Sequence, residues 1–177
     1  GSGSPRRQRP SRGGPVALNP GGAGQTILTQ ALACSLLDFL PVNLRLPGVV
    51  EWVLRYTPKV LLVQDTHKHL FGGFAPEPWE PRFAFYGSGE AFVFSFGRED
   101  APQLHVYPWT SRNDFFMYAD AGFLAMGGGD GQHAILVRSD LLHGASSPTA
   151  TFENSILAES SEFIVRDIEV WALEEAE

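Results

Sequence analysis

Two histidines have the spacing of metal ligands. In the segment Asp65-Thr66-His67-Lys68-His69, both imidazoles would point to one face of a strand, and imidazole is a common zinc ligand. The segment lies between two apolar runs, however, where a polar hairpin turn is expected. No cysteine or further histidine cluster in the sequence completes a ligand set. We therefore interpret the segment as a turn and predict no metal site.

A glycine-rich run at residues 127–131, Gly-Gly-Gly-Asp-Gly, has the composition of a phosphate-binding loop. Such a loop needs a helix after it, usually opened by Gly-Lys-Ser or Gly-Lys-Thr. Here an apolar stretch at residues 133–138 follows, and its pattern is that of a strand. A tight hairpin is the better interpretation, so we predict no bound cofactor.

Three side chains are candidates for acid–base or nucleophilic chemistry. Ser88 lies between two glycines but lacks the Gly-x-Ser-x-Gly pattern of a nucleophile elbow. Glu90 and Glu169 are carboxylates with apolar neighbours, an environment that suits a general acid or base. Acids at turns and strand edges more often accept hydrogen bonds from backbone amides. We therefore predict no catalytic residues.

The single cysteine, Cys34, cannot form a disulfide within the chain. It lies in an apolar run, which predicts a buried structural thiol rather than a redox-active one. A protein without disulfides fits a cytoplasmic location.

The elements that would position these side chains are mostly strands. Residues 91–96 alternate strictly, with Phe92, Phe94 and Phe96 on one face, which predicts a strand with a heavily buried side. In the preceding turn, we predict that Gly87 and Gly89 adopt backbone angles that other residues reach poorly.

Short strands with frequent turns fill most of the chain. The other predicted strands cover residues 50–56, 60–65, 70–75, 104–109, 115–118, 123–126, 133–138 and 163–173. A helix is predicted between Thr26 and Pro41, and residues 140–157 are predicted to be loop with a short helix. The pattern predicts a mainly β (α+β) fold, with two antiparallel sheets packed as a sandwich and a few flanking helices. Residues 1–25, rich in Gly, Pro, Arg and Ser, are predicted to be disordered, and residues 26–177 to form one domain.

The charge distribution narrows the class of partner. The net charge of −7 argues against a nucleic-acid-binding protein. Four arginines precede the first acidic residue, Asp38, so the chain beyond them carries nine basic and twenty acidic residues. An acidic body suits a partner with basic surfaces, although solubility alone also explains it. No apolar run reaches the length of a membrane span, so no membrane insertion is predicted.

Four groups of motifs together resemble the TLDc domain of oxidation-resistance proteins. The first is Glu51-Trp52-Val53-Leu54-Arg55-Tyr56, preceded by Phe39-Leu40-Pro41. The second is Val60-Leu61-Leu62-Val63-Gln64-Asp65 with Leu70-Phe71-Gly72-Gly73-Phe74. The third is Tyr86-Gly87-Ser88-Gly89-Glu90-Ala91-Phe92-Val93-Phe94 with Tyr107-Pro108-Trp109-Thr110 and Asn113-Asp114-Phe115-Phe116. The fourth is Leu124-Ala125-Met126-Gly127-Gly128-Gly129 with Asp140-Leu141-Leu142-His143-Gly144, Thr151-Phe152-Glu153-Asn154 and Ile168-Glu169-Val170-Trp171-Ala172. The chain departs from the family pattern after Tyr56, where a His-Gly-x-Ser-Leu segment and a helix are missing.

The resemblance implies a role without secure catalytic chemistry. It implies protection against oxidative stress and association, as a monomeric domain, with the vacuolar-type proton-pumping ATPase at the cytosolic face of acidic organelles. The signature positions it supplies have no assigned role: Trp52, Gly72, Gly73, Gly87, Gly89, Glu90, Trp109, Gly127, Gly128, Gly129, Asn154, Glu169 and Trp171. A structural component of a larger assembly and an enzyme with redox or hydrolytic activity remain the alternatives.

Overall fold

The structure, a computed structural model, describes residues 17–19, 26–40, 51–54 and 60–174. One helix and eleven strands lie in these ranges. In chain order they are β1 (Ala17–Asn19), α1 (Gln30–Leu37), β2 (Glu51–Leu54), β3 (Val60–Asp65), β4 (His69–Phe74), β5 (Phe92–Arg98), β6 (His105–Pro108), β7 (Met117–Ala119), β8 (Phe123–Met126), β9 (Ile135–Arg138), β10 (His143–Ala145) and β11 (Glu162–Glu174).

Nine strands form one open antiparallel path in the order β6-β5-β4-β3-β11-β10-β9-β8-β7. Strand β11 joins the two halves, because its start pairs with β10 and the rest pairs with β3. Strand β2 pairs with the end of β11, and β1 lies parallel to β2. The mainly β, antiparallel class is confirmed. The two separate sheets of a sandwich are not, since β11 belongs to both halves, and the described residues contain one helix rather than a few.

Apolar side chains cover both faces of the half that contains β3 and β4. Leu61 and Val63 of β3 belong to a cluster that also holds Met126 of β8 and Ile135 of β9. Leu62 faces the other way, into a cluster with side chains of α1. Strands buried on both faces read as continuous apolar runs, which explains the sequence of β3.

Most strands lie where the sequence places them, and β3 and β8 have the predicted bounds. Two do not. Strand β1 lies within the segment predicted to be disordered, although the rest of residues 1–25 is outside the described ranges. Strand β10 replaces the short helix predicted in residues 140–157. Both strands have three residues, which is too short for a period of two to show.

Cys34 is exposed, so the prediction of a buried thiol is wrong. The residues of the α1 region that enter the core are Leu28, Leu32, Ala33, Leu36 and Leu40. Thr29 caps the helix, its hydroxyl accepting the Leu32 N–H at 3.3 Å, and the resulting face leaves Cys34 in solvent.

Candidate functional site

Three loops converge at one end of strands β8, β9 and β10. They are the β6–β7 loop (109–116), the β8–β9 loop (127–134) and the β10–β11 loop (146–161). We call them the three-loop cluster. Five of the signature positions lie in it, namely Trp109, Gly127, Gly128, Gly129 and Asn154, and a sixth, Gly89, adjoins Trp109.

Thr151 is the centre of the cluster. Its side chain is fully buried, and its hydroxyl oxygen accepts the Gly128 N–H at 2.9 Å while donating to Asn113 Oδ1 at 2.6 Å. Asn113 in turn donates from Nδ2 to the Gly128 carbonyl at 3.2 Å. One residue from each loop is therefore tied to the other two. A Cβ at Gly128 would lie 3.0 Å from Phe115 Cβ, so glycine lets the loops approach this closely.

Asn154 holds the β10–β11 loop in shape. Its Oδ1 accepts the Thr149 hydroxyl at 2.7 Å, and its Nδ2 donates to the Ser147 and Ser155 carbonyls at 2.9 Å each. The side chain is 3% exposed, so each of these bonds offsets the cost of burying a polar amide. Asn154 is a structural residue.

Trp109 connects the cluster to the turn before β5. Its Nε1 donates to the Asn113 carbonyl at 2.7 Å, and its ring meets the Phe116 ring edge-on at 5.2 Å. A Cβ at Gly89 would lie 2.3 Å from the indole. Gly89 does not have a positive φ, so the prediction of unusual backbone angles is wrong there, and glycine is needed for space. The prediction is confirmed for Gly87, whose φ is 115°.

Backbone strain concentrates in the three-loop cluster. Ser111, Asp130 and Glu153 have φ of 66°, 54° and 47°, one in each loop. Of the described non-glycine residues, only Lys68 and Leu141 share this left-handed conformation. Such angles persist only where surrounding contacts enforce them, and they are common at functional sites. Gly127 and Gly129 also have positive φ, of 74° and 133°, so the predicted hairpin turn needs glycine there.

The outer surface of the cluster is polar. Arg112 and Glu153, both exposed, form an ion pair between two loops, and Phe115 is 40% exposed beside them. The hydroxyls of Thr110, Thr149 and Thr151 donate to carbonyl or amide oxygens. A hydroxyl held this way is not activated by a base. The geometry suits recognition by a rigid surface.

Glu169 lies elsewhere and anchors the segment before α1. Its carboxylate accepts the backbone N–H groups of Ile27 and Leu28, the latter at 3.1 Å, and Trp171 Nε1 at 2.8 Å. Trp171 is completely buried against α1. These two signature positions therefore fasten the helix to the sheet.

Of the remaining signature positions, Gly72 and Gly73 are closely packed against neighbouring strands, and Glu90 lies on the surface. A Cβ at Gly72 would lie 1.9 Å from the Leu61 carbonyl oxygen, and one at Gly73 would lie 2.3 Å from Met126 Sδ. Glu90 is exposed. Trp52 lies in β2, and its side chain is outside the described part of the structure.

The histidine segment is the β3–β4 turn, as predicted. Its organiser is Asp65, which sequence reasoning missed. The buried carboxylate accepts the N–H groups of His67 and His69 at 2.9 Å and that of Glu159 at 3.0 Å. The sequence offers one signal for this role, because Asp65 is an acid that ends an apolar strand just before a polar turn. The bond to Glu159 joins residues 94 positions apart, and no pattern in the sequence indicates it. Among the described residues, no group of three or more His, Cys, Asp or Glu side chains is arranged to hold a metal ion.

A comparison with sequence models of protein families finds one that covers most of the chain. The sequence model of the TLDc domain matches residues 43–174, the range that contains the three-loop cluster, Glu169 and Trp171. The chain belongs to the TLDc domain family. The predicted resemblance is thereby confirmed.

Relatives of this TLDc domain are much longer proteins. Oxidation resistance protein 1 of Xenopus laevis is 43% identical over 118 residues, which are 67% of this chain and 13% of that protein. The human protein of the same name is 41% identical over 118 residues, again 67% of this chain and 13% of that protein. Human nuclear receptor coactivator 7 is 36% identical over 118 residues, 67% of this chain and 12% of that protein. The chain thus spans about an eighth of the length of these relatives. No helix within the described residues has the length and apolarity to cross a membrane.

Proposed function

We propose that this TLDc domain is a non-catalytic protein-binding module that supports resistance to oxidative stress and regulates a vacuolar-type proton-pumping ATPase. The names of its relatives support the first part, because proteins called oxidation resistance protein 1 share over 40% identity with it. The family resemblance supports the second.

The observation that carries the proposal is the hydrogen-bond network around Thr151. There the signature residue Gly128 bonds to Thr151 and Asn113, which belong to two other family motifs, and these bonds hold three strained loops in a single arrangement. Preorganised surfaces bind more tightly because fewer groups must be ordered on association. The network therefore serves the presentation of the outer surface to a partner.

The test is co-sedimentation of the purified chain with the detergent-solubilised proton pump. We expect stoichiometric association that weakens with salt, because exposed charge attractions are screened over about 8 Å at physiological ionic strength. Two variants of Thr151 test the network, one that breaks it and one that serves as a matched control. Thr151→Val removes the hydroxyl and should weaken association, whereas Thr151→Ser keeps the hydroxyl and should not. Equal association of both variants would exclude the cluster as the binding element, and no association of the wild type would overturn the proposal.

A truncation tests whether the arginine-rich N-terminal segment contributes to association with the pump. Removing residues 1–16 takes away the four arginines Arg6, Arg7, Arg9 and Arg12 while keeping β1. We expect association to persist, because the match to the family begins at residue 43. Loss of association in this variant, with an unchanged melt, would favour a structural component that assembles through its tail.

A further inference from the structure

We propose that the opposite end of strands β9 and β10 is a second docking surface, which binds a partner segment carrying an acidic residue beside large apolar ones. The β9–β10 turn (139–142), here the Leu141 turn, lies at this end, since the three-loop cluster occupies the other end of both strands. The surface goes beyond the proposed function, because nothing in that function requires it.

The Leu141 turn holds two leucines in solvent. Leu141 and Leu142 are 54% and 45% exposed. Ile164, which is 38% exposed, lies opposite His143, the residue that follows the turn. Leu141 has a φ of 54°, a conformation that a leucine adopts at a cost. An asparagine or glycine would suit the backbone better and would not expose an apolar side chain. The turn thus keeps a residue that is unfavourable for folding in two separate ways.

Asp140 fixes the shape of the turn. One carboxylate oxygen accepts the N–H groups of Leu142 at 2.9 Å and His143 at 3.0 Å, and the other contacts His143 Nδ1 at 2.6 Å. The Leu141 N–H donates to the Arg138 carbonyl at 2.9 Å. The leucines are therefore held in place before any partner arrives, which lowers the entropy lost on binding.

Two grooves meet at Arg138, next to the turn. The first has a volume of about 170 Å³ and is lined by Trp79, Phe123, Leu124 and Leu141 among others. The second is lined by His67, His143, Glu162 and Ile164. Arg138 lines both. The first groove is below the roughly 300–1,000 Å³ of small-molecule pockets, so it suits an apolar side chain of a partner rather than a whole ligand.

Arg138 determines the charge of the expected partner. Of the described arginines, Arg82, Arg98, Arg112 and Arg166 each contact a carboxylate. Arg138 forms no ion pair with a described residue, although the chain carries an excess of acids. Four acids lie near Arg138. Asp140 is bound to His143, Asp120 accepts the Gly122 and Phe123 N–H groups, and Glu80 pairs with Arg82. Glu162 lines the second groove with Arg138 but forms no ion pair with it. A partner carboxylate would give Arg138 the charge-assisted pair that the other arginines have.

The test is selection of a random-peptide library displayed on phage against the wild-type chain, followed by binding titrations of the enriched peptides. We expect these peptides to carry Asp or Glu near Leu, Ile, Phe or Trp. Leu141→Asn and Arg138→Gln should each weaken their binding about tenfold or more. Ile156→Asn and Arg98→Gln, which change an exposed apolar residue and an arginine outside both grooves, should leave it unchanged.

Thermal melts separate docking from folding. Leu141→Asn should melt at or above the wild-type temperature, because asparagine tolerates the left-handed conformation. A stabilised variant that no longer binds would exclude a purely structural role for Leu141. The proposal is overturned if no peptides are enriched, if the enriched peptides lack acidic residues, or if they bind Leu141→Asn as well as wild type. Self-association that Leu141→Asn abolishes would assign the surface to a second copy instead. None of these assays involves the proton pump, so their failure is independent of the proposed function.

Discussion

Replacing Glu169 tests whether the carboxylate fastens the α1 segment to the sheet or is available for chemistry. Its two oxygens accept three N–H groups, from Ile27, Leu28 and Trp171. Hydrogen bonds to a charged group contribute about 1.5–3 kcal/mol each, and we use the lower end because the side chain is only half-buried. The half-buried Ile27 can regain a water partner for its amide after truncation, whereas Leu28 and the Trp171 indole are buried.

Glu169→Ala should therefore lower the free energy of unfolding by about 3–4 kcal/mol. Glu169→Gln keeps one acceptor oxygen and should lower it by about 1–2 kcal/mol. For a domain of this size, each kcal/mol corresponds to a shift of about 2–4 °C in the melting temperature. Asp167→Asn changes a neighbouring exposed acid on the same strand and should stay within about 0.5 kcal/mol of wild type.

Urea denaturation gives the three free energies, and amide hydrogen exchange reports where protection is lost. We expect loss of protection in α1 before any loss in β3 or β4, because the carboxylate joins the helix segment to the sheet. If Glu169→Ala and Glu169→Gln both unfold like Asp167→Asn, the anchoring role is refuted, and a functional role for the carboxylate would have to be considered again.

Three further variants test other contacts. Gly89→Ala should destabilise the fold by about 1–3 kcal/mol through the clash with Trp109. In a Trp109→Leu background, the same substitution should cost much less, as measured by urea denaturation. An equal cost in both backgrounds would show that the clash is not the cause. The pKa of Asp140 lies well below its usual range because of its hydrogen bonds to the His143 side chain and the His143 and Leu142 N–H groups. This stabilisation is present above about pH 4 and is lost as the pH falls further, so the difference in melting temperature between wild type and Asp140→Asn should narrow between about pH 5 and pH 2; a constant difference across that window would contradict it. Cys34→Ser should leave both the melt and protection in an oxidative-challenge assay unchanged, because Cys34 is exposed and the only cysteine; lost protection with an unchanged melt would favour a thiol enzyme.

The elements that sequence predicts well are those with a strong local signal. Strand β3 is a continuous apolar run ended by Asp65, and β5 alternates over its length, so both lie where expected. The helix begins and ends within the predicted range, whereas the sequence does not predict the exposure of Cys34, because an apolar run does not by itself show which side of a helix faces the core. Strand β10 has three residues and depends on pairing with β9 and β11, which only the folded chain provides.

The candidate site, too, could be predicted only where the signal is local. The sequence identifies Gly128 and Trp109 as signature positions but gives no reason for either. The reasons are contacts with distant residues: Gly128 bonds to Thr151, 23 residues away, and the Trp109 indole occupies the space that a side chain at Gly89 would need. Glycine at a turn suggests a special φ, and at Gly89 this general rule fails because close approach is the actual constraint.

Most signature residues whose side chains are described form contacts within the protein, and this bears on how the domain would distinguish its partners. The signature residues Asn154 and Glu169 make their hydrogen bonds within the protein, as does Thr151, and Gly73, Gly89 and Gly128 make room for neighbouring side chains. Groups used in this way contribute rigidity, and they cannot also distinguish one partner from another. In the binding functions proposed above, discrimination would therefore come from exposed side chains, such as Phe115 at one end of strands β9 and β10 and Leu141, held by its own turn, at the other. Variants of the frame should weaken every interaction together, whereas variants of the exposed residues should weaken one interaction at a time.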